Sequence, residues 1–185
     1  MGTPYAVNGY PEMKSTDRSP ETTSDLDLLS RRIPAFRGYA NKPGRRESAE
    51  ALQAHLLDAL TAQRNRLAHL EMKLSAGKKL AATAQVDRAL TRIQLFVEDL
   101  RSITFAQGLW LEAVALPGDD LLYLYHGEAA LFAGVDAVSR GVDEIARALD
   151  AGEPPAAGVG DLVDVIEILT ERLARRHQAA RNLGK

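Results

Sequence analysis

Four stretches of this chain place apolar residues at alternating steps of four and three, and that spacing constrains the fold more than any other feature. The first seam is Leu56, Leu60, Leu67, Leu70 and Leu74, with Gln63 in the one remaining position. The second is Val86, Leu90, Ile93, Val97 and Leu100. The third runs through Leu121, Leu124, Leu131, Val135, Val138, Val142, Ile145 and Leu149, and the fourth through Leu162, Ile166, Leu169 and Leu173. On an α-helix such residues form one stripe, whereas on a strand they would be divided between two faces. The fold class expected is therefore all-α: an elongated antiparallel bundle of four long helices, with a short N-terminal helix and a disordered N-terminal tail.

Local signals place the boundaries. Residues 1–23 mix Pro, Gly, Ser and Thr with scattered charge and have no periodic apolar face, so they are expected as a disordered tail. Residues 24–185 form a single helical-bundle domain in this reading. Ser24 serves as the N-cap of a short helix that ends before Pro34. The first long helix starts near Arg45–Ser48 and runs to about Ser75, with Gly77, Lys78 and Lys79 as its turn. The second ends near Phe105, and Gly108, Pro117 and Gly118 interrupt the segment after it. Asp119 or Asp120 caps the third helix, Ala151 to Gly160 is a flexible connection, and Asp161 caps the last.

Composition agrees with helices and limits the chemistry. At 185 residues and 45% hydrophobic content the chain suits one core, and its 5% aromatic content is low for a sheet protein. It contains no cysteine, which removes disulfides, thiolate metal sites and thiol nucleophiles. No apolar run approaches bilayer length and no signal peptide pattern opens the chain, so a cytoplasmic location is expected. The net charge of −2 hides segregation: residues 31–110 carry 14 Lys/Arg against 7 Asp/Glu, residues 111–167 carry 2 against 12, and residues 168–185 carry 5 against 1. Helices of opposite charge that neutralise one another inside the fold are the favoured explanation, ahead of steering or self-association.

A bundle invites the question of a di-iron centre, whose mark is a Glu three residues before a His on two helices. The residues three before His55, His69, His126 and His177 are Leu52, Arg66, Tyr123 and Ala174, so that reading fails, and no metal or cofactor is expected. No phosphate loop, dinucleotide fingerprint, zincin or nucleophile-elbow pattern is present, and no catalytic residue is assigned. Glu128 occupies a seam position between Leu124 and Leu131, where a carboxylate must find a donor. It is a candidate buried polar site, weighed against an ion pair near a bundle end or an outward tilt of that turn. Trp110 is a candidate partner contact, although its aromatic neighbours Phe96, Phe105, Tyr123, Tyr125 and Phe132 favour a core cluster. Positive charge is densest at Arg31, Arg32, Arg37, Lys42, Arg45 and Arg46, candidates for binding a partner or a polyanion, or for pairing with the acidic third helix.

The same elbow carries a resemblance. Ile33-Pro34-Ala35-Phe36-Arg37-Gly38-Tyr39, then Lys42 and Arg45-Arg46-Glu47, resembles the opening of a group of uncharacterised bacterial helical proteins. Asp99-Leu100-Arg101, Gly108-Leu109-Trp110 and Asp120-Leu121-Leu122-Tyr123 look like that group's second turn and helix entry. This chain differs at Ala35, where glycine is usual, and at Ala106-Gln107. The resemblance implies a helical fold, a bacterial cytoplasmic setting and a recurring pair of turns, and no activity. The function expected is that of a non-enzymatic interaction or scaffold protein that binds another protein or itself, with no small-molecule substrate. One alternative is binding of an anionic membrane or nucleic acid through residues 31–46; the other is a ligand carrier or enzyme built near Glu128.

Overall fold

The computed structural model describes the backbone of residues 20–182 and the side chains of residues 25–102 and 114–178. Among the described residues there are five α-helices: α1 (Pro20–Arg32), α2 (Arg45–Ala76), α3 (Leu80–Ala113), α4 (Gly118–Asp150) and α5 (Ala156–Asn182). A single 3-10 turn, Lys42–Gly44, leads into α2, and no strand occurs among the described residues. None of the described helices is long and apolar enough to cross a membrane. At 32, 34 and 33 residues, α2, α3 and α4 are each about 50 Å long.

The seams become the core. Leu56, Leu60, Leu67 and Leu74 of α2, all five seam residues of α3, Leu124 to Ile145 of α4 and Leu162 to Leu173 of α5 are buried together, while Leu70, Leu121 and Leu149 pack against them half-buried. Helix α2 packs on α3 and α4, and α5 packs on the same two from the other side, so the four form a ring; α1 lies along α4. Each hairpin, α2–α3 and α4–α5, is antiparallel because its connection is short. Across the hairpins the neighbours run parallel. His55 stacks on Phe132 and Arg66 pairs with Asp143, so α2 and α4 ascend together. Arg88 and Gly160 line one groove, and Arg92 pairs with Glu167 at 3.6 Å, so α3 and α5 do likewise. All four long helices therefore have one terminus at the elbow end of the bundle.

Several boundaries differ from the sequence expectation. Helix α3 runs through Gly108 to Ala113 instead of ending near Phe105. One interior glycine costs only about 1 kcal/mol, which the Leu- and Ala-rich flanks offset. Neither Asp119 nor Asp120 caps α4: Pro117 is the cap, and the two acids sit in the first turn, where they favour the positive end of the helix dipole. Helix α5 begins at Ala156, directly after Pro154-Pro155, so Asp161 lies inside it and the connection is shorter than expected. Helix α1 starts at Pro20, four residues before Ser24. Most of the expected tail, residues 1–19, and the side chain of Trp110 lie outside the described residues.

Close approach of α4 to α5 depends on Gly134. A Cβ at this position would come within 2.2 Å of Leu169 Cδ2, so a larger residue would drive the hairpin apart or force Leu169 into another rotamer.

Candidate functional site

Glu128 of α4 is completely buried, and two other elements converge on it at the elbow end. The seam of α5 supplies the first partner. Continuing the four-three steps beyond Leu173 leads to Arg176, whose side chain is also buried. Its Nε donates to Glu128 Oε1 at 2.9 Å, and its Nη2 donates to the same oxygen. The elbow supplies the second: the Tyr39 hydroxyl donates to Glu128 Oε1 at 3.0 Å. Glu128 Oε2 has no hydrogen-bond partner among the described residues.

The elbow is built so that Tyr39 can reach inward. Pro34 follows α1, the Phe36 amide donates to the Ile33 carbonyl at 2.9 Å, and the chain turns at Gly38 with φ +75°. That angle is one an L side chain rarely adopts. Beyond it the Tyr39 amide donates to the Tyr125 hydroxyl at 2.8 Å, and the Tyr39 and Tyr125 rings stack 5.8 Å apart. Phe36 packs edge-on against both rings. Ser48 Oγ accepts the Arg37 amide at 3.0 Å. Arg45, buried at the start of α2, donates through Nε to the Tyr39 carbonyl at 2.6 Å and through Nη1 to the Val114 carbonyl at 2.7 Å. One guanidinium thus ties the elbow to the α3–α4 turn, and both turns close the same end of the core.

Electrostatics keep the Tyr39 proton and the Arg176 charge in place. Burial, and then the Glu128 carboxylate, push the Tyr39 hydroxyl well above the ordinary tyrosine value. Burial opposes the charge on Arg176, but Glu128 and Tyr39 outweigh it and raise its pKa. A tyrosine serving as an acid or base near neutral pH needs the opposite shift. The shift of Tyr39 also makes stability depend on pH. Because Tyr39 stays protonated in the fold while an unfolded tyrosine ionises near 10, its contribution is whole below about pH 10 and is lost as pH rises toward the folded value. Urea titrations from pH 8 to 11 should show stability falling above about pH 10, and less steeply in Tyr39→Phe; equal slopes would contradict this assignment.

The six basic candidates are dispersed rather than gathered into one patch. Arg32 pairs with Asp136 of α4 at 3.1 Å and lies over the Phe132 ring. Arg37 folds back onto the Pro34 and Phe36 carbonyls. Arg45 is buried between the two turns, and Arg46 pairs with Glu50. Arg31 and Lys42 are exposed, with no acidic partner among the described residues. The segregated charges meet inside the molecule: Arg32–Asp136, Arg66–Asp143, Arg92–Glu167 and Arg176–Glu128 each join a basic stretch to the acidic one.

Beside the Glu128 cluster, on the outside of the α4–α5 hairpin, lies a groove of about 370 Å³. Leu124, Gly127 and Ala130 of α4 form one wall, and Ile168, Arg172 and Arg176 of α5 the other. Arg172 Nη1 donates to the Ala130 carbonyl at 3.1 Å, which holds the guanidinium across the groove. Sequence reasoning did not single out Arg172 or Arg176, although the α5 seam, extended by one step, already pointed to the second. Among the described residues, no three of the His, Asp and Glu side chains gather as metal ligands would.

Comparison of the chain with protein-family models, with curated proteins and with solved structures finds no match.

Proposed function

We propose that this protein is a non-catalytic helical interaction module of the bacterial cytoplasm, and that its binding face is the outer side of the α4–α5 hairpin. The observation that carries this reading is the groove itself. Ile168, a large apolar side chain 50% exposed, stands on one wall, and Arg172, with no acidic partner among the described residues, stands fixed beside it. An apolar anchor next to an oriented guanidinium is a common composition for the centre of a protein interface. The Glu128 cluster supports the same reading, since its groups hold the elbow and the helix ends in place and Tyr39 is shifted away from acid–base use. Polyanion binding through the elbow has weaker support, because four of its six cations are engaged within the fold.

A photo-crosslinking residue placed at Ile168 tests this in the producing cell. Irradiation should yield protein adducts from position 168 and far fewer from position 95, where Leu95 of α3 is just as exposed, at 55%. Equal labelling from the two positions, or none from either, would count against the α4–α5 face.

A further inference from the structure

The exposed side of α5 has a pattern that the groove alone does not reveal. Asp161, Asp164, Ile168, Arg172 and Arg175 are all exposed, and their spacing of three, four, four and three puts them on one stripe of the helix. The stripe is symmetric about Ile168 in position and opposite in charge. Turning a second α5 end for end about Ile168 sets Asp164 opposite Arg172 and Asp161 opposite Arg175, twice over. Asp161 and Asp164 have no ion-pair partner among the described residues, and Arg172 has none. Arg175 pairs locally with Glu171, one turn away and exposed.

We propose that a second copy of this chain occupies the face: two molecules pair through antiparallel α5 helices, on a two-fold axis passing at Ile168. This rests on the reading of the α4–α5 face as the interaction surface and names its partner. A two-fold interface is self-complementary, so residue i must meet residue j and j must meet i, and a helix with inverted charge about a central apolar residue satisfies that condition by itself. The α4 side leaves room for the approach. Gly127 and Ala130 form a low wall, and a Cβ added at Gly127 would meet nothing within 4 Å. The stripe from Asp161 to Arg175 covers about 21 Å of helix. A contact of that length, centred on one apolar residue and framed by exposed ion pairs, belongs to the small, salt-sensitive class of interfaces.

Analytical ultracentrifugation on the full chain is the test. The protein should form a concentration-dependent dimer at about 20 mM salt, with the dissociation constant rising roughly tenfold or more at about 500 mM. Arg172→Glu/Arg175→Glu makes the stripe wholly acidic, and Asp161→Arg/Asp164→Arg makes it wholly basic; each variant alone should be monomeric. Mixed in equal amounts they should form a 1:1 heterodimer, because every charge then meets its opposite. These positions are exposed, and circular dichroism of each variant should match the parent. A parent chain that stays monomeric at low salt overturns the proposal, as does a dimer unchanged by either variant or a mixture that does not associate. A monomer that still gives crosslinks from position 168 to a different protein would leave the interaction face standing and remove only the self-pairing.

Discussion

Arg176→Ala should destabilise the protein by about 3–5 kcal/mol, lowering the midpoint of thermal unfolding by roughly 10 °C. The loss is far larger than a surface ion pair would give, because truncation leaves the Glu128 carboxylate in the core with the Tyr39 hydroxyl as its one remaining donor among the described residues. Replacing the whole cluster should behave differently. In Tyr39→Phe/Glu128→Leu/Arg176→Met no polar group of the three remains to be satisfied, and stability should return to within about 2 kcal/mol of the parent or exceed it. Urea denaturation of the parent, the single and the triple variant makes the comparison. If Arg176→Ala falls within about 1 kcal/mol of the parent, Arg176 and Glu128 do not form a buried pair in solution.

The second large effect is expected at Gly38. Gly38→Ala places a side chain where φ is +75°, and its Cβ would lie 2.7 Å from the Tyr125 hydroxyl and 3.1 Å from Leu26 Cδ1. Backbone strain of about 1–3 kcal/mol adds to a clash that pushes Tyr125 away from the Tyr39 amide. The expected total is about 2–4 kcal/mol. A double-mutant cycle divides it: in a Tyr125→Phe background the clash with the hydroxyl is gone, so Gly38→Ala should cost less, the backbone part of about 1–3 kcal/mol together with the tight contact to Leu26. An equal cost in both backgrounds would mean that the tyrosine does not crowd this glycine. Neither substitution touches the exposed stripe of α5, so self-association of the folded fraction should be unchanged.

The two sites differ in how far the sequence announced them. Glu128 is visible as a carboxylate interrupting a seam, and the seam predicts that it faces inward. Its partner is visible only after the fourth seam is carried one step past Leu173, where the basic composition of the C-terminal stretch hides Arg176 among exposed arginines. Tyr39 is not legible as a partner at all: it sits in a loop, 89 residues from Glu128, and reaches it only because Gly38 turns the chain inward. The elbow cations show the converse. Six basic residues within sixteen positions look like a single patch, yet a loop directs successive side chains differently: Arg32 and Arg46 meet carboxylates on two different helices, while Arg37 and Arg45 turn to backbone carbonyls.

Helix ends were the least legible part of the fold. Asp119, Asp120 and Asp161 are good caps by residue type, and Gly108 is a good breaker, but each signal is worth about 1 kcal/mol and yields to the packing of a whole helix. The periodic signals fared better because they add up over many residues: the four-three seams fix which face of each helix turns inward, and almost every seam residue is buried. Helical class and inward faces were thus determined by the sequence alone, since both follow from the geometry of one helix. Which face meets which was decided only in three dimensions. The parallel pairing of α2 with α4 and of α3 with α5, the meeting of Tyr39, Glu128 and Arg176, and the exposure that leaves Asp161, Asp164, Ile168, Arg172 and Arg175 on one open stripe all depend on contacts between distant segments, which no local period encodes.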